Sequence, residues 1–425
     1  MKKTILAAVA ALAVAAATSH PAYAYKLYTG GGCTSGKKWN TSTPVQVKLL
    51  YDSFIAYEDS KGINDFFTRT TDLFNLIDDI NKVIDEYNSA YGIDIKLELG
   101  TSIIGDDNLD DSDDFGDHTI VIGFTDKPSD NPAWTPTTDD GNCTYLQTHL
   151  FLNESDTWNF GVPGDLQVNG KKADGAYFFR SILLHEMGHA LGLNHPETGY
   201  AVMDHGTKVW TRGQDDTLQV ELLPDDIAGL RALYGNGGPR EFDISVTNTW
   251  YLPATEYPDD DSNAAHQIKI CDVSSRGDDY FAPTGTNETG KCGVNSPTGS
   301  KYPPVSDHVC SGDDLQIVYA VNNRSDQTVT TEEQVWLSSD DDLEVNGAAK
   351  DIKLTQTRSW TLVPGSTQIG RHYTVDAGTP AGIYRVYARV VPYDAITGAS
   401  LWSNDTNQWN NSTRVPGTIT VDSCR

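Results

Sequence analysis

The sequence predicts an α+β unit followed by an all-β sandwich, and three observations carry that prediction. Strand-like alternation and helix-like periodicity interleave up to residue 236. Gly235-Asn236-Gly237-Gly238-Pro239 then reads as a linker, beyond which helical periodicity disappears. The runs FDISV, LQIVYAV, EQVWL, GIYRVYARVV and GTITV follow, separated by Asp, Asn, Gly and Pro clusters, which is the pattern of a sandwich. Length agrees, because 425 residues exceed one typical core. The expected division is 1–24, 25–236, a linker at 237–240, and 241–425.

Taken in order, Lys2-Lys3, an apolar Ala/Leu/Val run and Ala22-Tyr23-Ala24 read as a cleaved bacterial-type signal peptide. The mature chain is expected to start near Tyr25 and to be secreted. No later stretch approaches the roughly 20 apolar residues of a membrane helix, so no membrane insertion is expected. VQVKLLY (45–51) alternates as a strand does. Between Asp65 and Tyr91, Leu73, Ile77, Ile80, Ile84 and Tyr87 recur in steps of three and four, marking one helix face. IDIKLEL (93–99) predicts a half-buried strand with Ile93, Ile95, Leu97 and Leu99 on one side; TIVIGF (119–124) and TYLQTHLFL (144–152) are further strands. A helix is expected after Asp174 as N-cap, and another over Pro224–Tyr234, where Pro, Asp225 and Asp226 suit a first turn.

The formal charge is −28, or −30 once Lys2 and Lys3 are lost. Such a surface repels nucleic acid and anionic membranes. Six cysteines, an even count in an oxidising compartment, suggest three disulfides, and none forms a CxxC pair. Pairing within each half joins Cys33 to Cys143 and leaves three connectivities open for Cys271, Cys292, Cys310 and Cys424.

The chemistry concentrates in LLHEMGHALGLNH (183–195). On a helix, His185 and His189 project from one face and can reach one ion at about 2.0–2.1 Å. Glu186 lies about 100° around from His185, beside such an ion and suited to accept a proton. Gly192 can end the helix in a left-handed conformation, so that His195 returns as a third ligand. Three imidazoles leave one position open for water, whose pKa zinc lowers toward about 7. A helix with incidental histidines is the alternative, and the fixed spacing of Gly192 and His195 argues against it.

HEMGHALGLNH resembles the extended HExxHxxGxxH of the metzincin metalloproteases. Met203, eight residues after His195, resembles their Met-turn at the matrixin spacing, and LPDDIAGLRALYG resembles the closing helix of matrixin catalytic domains. KKWNTSTPVQVKL resembles the matrixin opening strand, and THLFLNESDTWNF the antiparallel edge strand that holds extended substrate. The resemblance covers residues 38–236. It implies an α+β zincin fold with a twisted mixed sheet and an active-site helix. It also implies a secreted zinc endopeptidase acting on protein or peptide, with Glu186 as general base. Substrate would lie along Tyr145 to Leu152, against Tyr145, Gln147, His149 and Phe151.

Several residues depart from the family. Pro196 stands where animal matrixins carry Ser. His205 stands where astacins and serralysins carry a metal-proximal Tyr; it is a candidate oxyanion helper, with a solvated loop histidine as the plainer reading. Cys33 sits in GGGCTSG, not in a cysteine-switch motif, and His118 and His149 lack the partners of a structural zinc loop. Asp106, Asn108 and Asp110 have calcium-loop spacing, but Asp111 stands where an EF-hand needs Gly, so the plainer reading is a solvated acidic loop.

Beyond 241, His266, His308 and His372 have no ligand spacing. LQIVYAVNNRSDQTVTTEEQVWLSSDDDLEVN and GIYRVYARVVPYDAITGASLWSNDTNQWNNS resemble CARDB-type immunoglobulin-like modules of secreted bacterial proteins. An immunoglobulin-like accessory domain of this kind would bind substrate, glycan or a cell surface through residues such as Trp250, Trp402 and Trp409, unless these fill its core. The alternative function is a surface-binding, adhesin-like protein whose β domain works on a zincin scaffold.

Overall fold

Two large hydrophobic cores organise the chain, one built from residues 39–234 and one from residues 244–421. The structure is a computed structural model. It describes residues 25–29, 32–90, 93–103, 109, 114–127, 129, 131–161, 176–196, 201–203, 211–212, 218–219, 221–235, 243–247, 249–250, 266–267, 270–272, 308–312, 314–325, 327–339, 343, 351–355, 358–363, 367–394, 396–401 and 411–422.

The first core lies against a six-stranded mixed sheet. After a short β1 (Lys26–Leu27), its strands are β2 (Val45–Leu49), β3 (Leu97–Leu99), β4 (Thr119–Thr125), β5 (Ala133–Trp134), β6 (Thr137–Asp139) and β7 (Tyr145–Asn153). The order is β3-β2-β4-β7, with β5 and β6 both paired to the far side of β7. Pairings through β7 are parallel, whereas β5 and β6 run antiparallel to it. Central parallel strands are covered on both faces, and accordingly every residue of β4 is buried.

Helix α1 (Tyr51–Ser60) follows β2 directly, and the sequence pattern does not predict it. Its buried side chains are Ser53, Phe54, Tyr57 and Glu58, so half of its inner face is polar and no apolar stripe is written in the sequence. Helix α2 (Phe66–Ser89) fulfils the periodicity seen from Asp65, whose carboxylate accepts the Thr68 N–H at 2.8 Å as a cap. Its buried stripe runs Leu76, Ile80, Val83, Ile84 and Tyr87, while Leu73 and Ile77 are half-buried. Only Leu97–Leu99 of IDIKLEL is strand. As β3 ends the sheet, Leu99 is 40% exposed rather than facing the core.

The next short pair, β8 (Trp158–Asn159) and β9 (Tyr177–Phe178), leads into α3 (Phe179–Ala190). This helix starts from a strand, with Phe178 as N-cap, and not from Asp174, which lies outside the described residues. It is followed by β10 (Leu193–Asn194), which pairs with β1, and by α4 (Pro224–Tyr234), which has the predicted limits. Cys33 and Cys143 form the disulfide expected within the first half. Cys310 is also disulfide-bonded.

The second core lies between two sheets. Asp314–Asn323 pairs with Ile244–Thr247, Ile270–Asp272 and Thr367–Thr374 in one. Val329–Ser338, Gly382–Asp394 and Ser412–Asp422 form the middle of the other. Ile244, Val246 and Val321 from the first sheet meet Val335, Leu337 and Val386 from the second. Among the described residues no helix is long and apolar enough to cross a membrane.

Candidate metal centre

All twelve residues of α3 are buried, so its polar groups need partners inside the protein. Arg180, in its first turn, pairs with the buried Asp79 of α2, Nε to Oδ1 at 2.7 Å and Nη2 to Oδ1 at 2.6 Å. Tyr87 donates to the Leu184 carbonyl at 2.7 Å. At the C-terminal end, where carbonyls lose their helical partners, Trp39 Nε1 donates to Ala190 O at 2.8 Å and the Tyr234 hydroxyl donates to Leu191 O at 2.8 Å.

Gly192 then turns the chain at φ +94°. A Cβ there would sit 2.4 Å from the Lys37 carbonyl, so both conformation and space require glycine. The turn brings His195 back to His185 and His189. Its Nε2 lies 3.0 Å from Nε2 of each. The Nδ1 atoms face backbone carbonyls, Val202 O at 2.7 Å from His185 and Leu193 O at 2.9 Å from His189. A carbonyl only accepts, so Nδ1 of each ring carries the proton and Nε2 offers its lone pair. Three nitrogens sharing one tetrahedral zinc at about 2.0–2.1 Å stand about 3.3 Å apart. The donor set and its spacing therefore fit such an ion. Among the described residues these three are the one cluster able to hold a metal.

Met203 lies beneath this cluster. A Cβ on Gly188 would meet Met203 Sδ at 2.2 Å, so the glycine within HEMGH makes room for the sulfur. The turn carrying Met203 hangs on the buried Asp226, whose carboxylate accepts the N–H groups of Val202 at 2.8 Å, Leu223 at 2.9 Å and Met203 at 3.1 Å. Burial pushes the Asp226 carboxyl up to about 7, and these N–H donors oppose that rise.

Glu186 is buried beside the histidines, and its Oε2 accepts a hydrogen bond from the Thr135 hydroxyl at 2.7 Å. Thr135 lies between β5 and β6, 51 residues from Glu186, and no local pattern marks it. Tyr28 stands edge-on to His189 with ring centroids 5.8 Å apart. Burial, and then the charge of Glu186, raises its phenol above the ordinary range.

The expectation that β7 is the substrate edge is corrected by the sheet order. β5 and β6 cover its outer side, and Tyr145, Gln147, His149 and Phe151 are all buried. Gln147 accepts the Phe115 N–H at 3.3 Å and contacts His149, whose ring packs against Phe115 and Phe151. These side chains serve the interior, and the antiparallel edge is Ala133–Asp139. His118 holds Thr43 O at 2.8 Å through Nε2. His205, the loop residues Asp106, Asn108, Asp110 and Asp111, and Trp402 and Trp409 lie outside the described residues.

Residues 98–235 match the Matrixin family model, Peptidase_M10. The matched span is about a third of the chain and contains β4 to α4, with the whole histidine cluster. It supports a matrixin-like, zinc-dependent metalloprotease, with a peptide as the class of substrate. No curated protein matches the chain. Among solved structures it is similar to a CARDB domain of Pyrococcus furiosus in complex with di-metal ions, at 17% identity over 28% of this chain and 86% of that one, with a TM-score of 0.18. A beta-glucosidase from Listeria innocua in complex with glucose gives 14% identity, 28% and 15% coverage, and a TM-score of 0.17. The sporulation control protein Spo0M of Bacillus subtilis gives 16%, 28% and 46%, with a TM-score of 0.17. The chain thus spans 15% of the glucosidase and 46% of Spo0M. None of the three reaches a TM-score from which a shared fold follows.

Proposed function

We propose that this chain is a secreted zinc endopeptidase: a signal peptide over 1–24, a matrixin-like catalytic domain over 25–236, and an immunoglobulin-like accessory domain over 241–425. The observation that carries it is the convergence of His185, His189 and His195 through Nε2, with Glu186 beside them. Zinc held there supplies Lewis-acid polarisation of a peptide carbonyl and a water acidic enough to act near neutral pH.

The chain's own residues do the rest. Val202 and Leu193 carbonyls hold two of the imidazoles in the tautomer that leaves Nε2 free to bind. Glu186 takes a proton from the attacking water and returns it to the leaving nitrogen, with Thr135 orienting its Oε2. The extended substrate lies along the outer edge of Ala133–Asp139, the strand segment that reaches Glu186 through Thr135. Main-chain hydrogen bonds to an open edge give affinity for a polypeptide without demanding one sequence.

The test is Glu186→Gln in the full chain, assayed on an unstructured protein. Hydrolysis should fall by about 10²–10⁴-fold, with zinc content near one per chain and an unchanged circular dichroism spectrum. Undiminished cleavage would overturn the proposal.

A further inference from the structure

Arg324 follows the strand Asp314–Asn323 of the second core, yet its guanidinium is buried against two carboxylates of the first region, Glu86 and Glu221, as well as Asp243 of its own. Nη2 meets Glu86 Oε1 of α2 at 2.5 Å, and Nη1 meets Glu221 Oε2 at 3.2 Å and Asp243 Oδ2 at 2.9 Å. The Arg324 side chain is 4% exposed and that of Glu221 2%. The backbone joins in, since Arg324 N donates to Asp243 O at 3.0 Å and Arg231 of α4 reaches Arg324 O at 3.5 Å. Burial alone would weaken the guanidinium's hold on its proton, but Asp243, Glu86 and Glu221 outweigh it.

What this cation grips leads to the histidines. Glu86 Oε1 also accepts the Leu222 N–H at 2.7 Å. Residues 221, 222 and 223 are therefore held in succession by Arg324, Glu86 and Asp226. Asp226 is the carboxylate on which Val202 and Met203 hang, and the Val202 carbonyl fixes the His185 ring. We infer that Arg324 is a positioning residue: it docks the C-terminal β region onto the segment 221–223 and, through Glu86, Glu221 and Asp226, holds the Met203 turn that orients His185. This rests on the metal-centre reading for its consequence in zinc retention, though not for its consequence in the turn itself.

A mere tether between the two regions would leave the turn unmoved, so two readouts are taken on the full chain. Arg324→Ala should speed amide exchange at Val202, Met203, Leu222 and Leu223 while leaving Ile120–Phe124 of β4 unchanged. Groups that orient metal ligands from outside typically alter affinity about 10–100-fold; with Arg324 several bonds removed, zinc release to a chromophoric chelator should quicken by about tenfold, the low end of that range. The kcat should fall with KM held, because Arg324 touches no substrate. Glu221→Gln, which keeps the side-chain shape, should show the same pattern more weakly and serves if Arg324→Ala does not fold. Exchange at Val202 and Met203 equal to wild type in a folded variant overturns the inference. If the wild-type chain binds no zinc, the proposed function fails, while the exchange measurement still decides the positioning role.

Discussion

The two cores of this chain bury polar groups for different ends. In the β region, Arg324 apart, Asn323 Nδ2 donates to Gln327 O and Leu362 O, Ser325 closes on Asn323, and Asn322 Nδ2 donates to Ser245 Oγ, so buried polar side chains complete that region's own loops and strands. In the α/β region they reach across the sequence to one another: Arg180 to Asp79, Thr135 to Glu186, Asp226 to Val202. The difference teaches where chemistry was built. A sandwich core of Val, Ile and Leu tolerates polar groups that tie its own corners. A core built around three histidines must spend its long-range contacts on aiming them.

This contrast can be broken or sharpened by four tests, taken in falling order of effect. Cys33→Ser with Cys143→Ser opens a link across 110 residues of the α/β region. It should cost about 4–5 kcal/mol by the loop-closure argument, read in urea unfolding as an earlier transition of that region alone. Leu337→Ala, at a fully buried site of the second core, should cost about 2–5 kcal/mol. Zinc content measured on the folded variant should stay near one per chain, and loss of the metal there would erase the division between the regions.

Gly188→Ala places a methyl against Met203 Sδ. The expected cost is about 1–3 kcal/mol, together with weaker zinc binding in a chelator competition, and Met203→Ala in the same chain should restore part of the stability. The smallest effect concerns Glu58. It is fully buried, and neither of its carboxylate oxygens has a hydrogen-bond partner among the described residues. Burial, reinforced by Asp72, pushes its carboxyl up to about 7 from an ordinary 4.5. The folded chain thus holds a proton between these values that the unfolded chain has released, so this group's stabilisation is full below 4.5 and is lost as pH rises through 7. Glu58→Gln should flatten that dependence, narrowing the difference in Tm between pH 5 and pH 8. An unchanged difference would show that Glu58 does not titrate in this window.

Local chemistry made part of this molecule legible. Helix α4 was readable because Pro224, Asp225 and Asp226 mark its start and Gly235 its end. The long helix was readable from Asp65 and a four-three repeat, although the buried stripe includes Leu76 and Val83. Helix α1 was not, because Ser53 and Glu58 occupy its inner face. At the site, the spacing of His185, His189, Gly192 and His195 carries its geometry within one helix and one turn, so the convergence of the ligands follows from local conformation.

Sequence by itself determined the identity of the three histidines, the glutamate beside them and the glycine that turns the chain. Tertiary structure alone decided which strand is the edge, since alternation in Tyr145–Asn153 reports burial but not which neighbours lie on either side. It also decided the partners Thr135, Asp226 and Arg324. Their contacts join residues 51, 24 and up to 238 positions apart, and such pairings are set by how whole elements pack, which no local periodicity encodes.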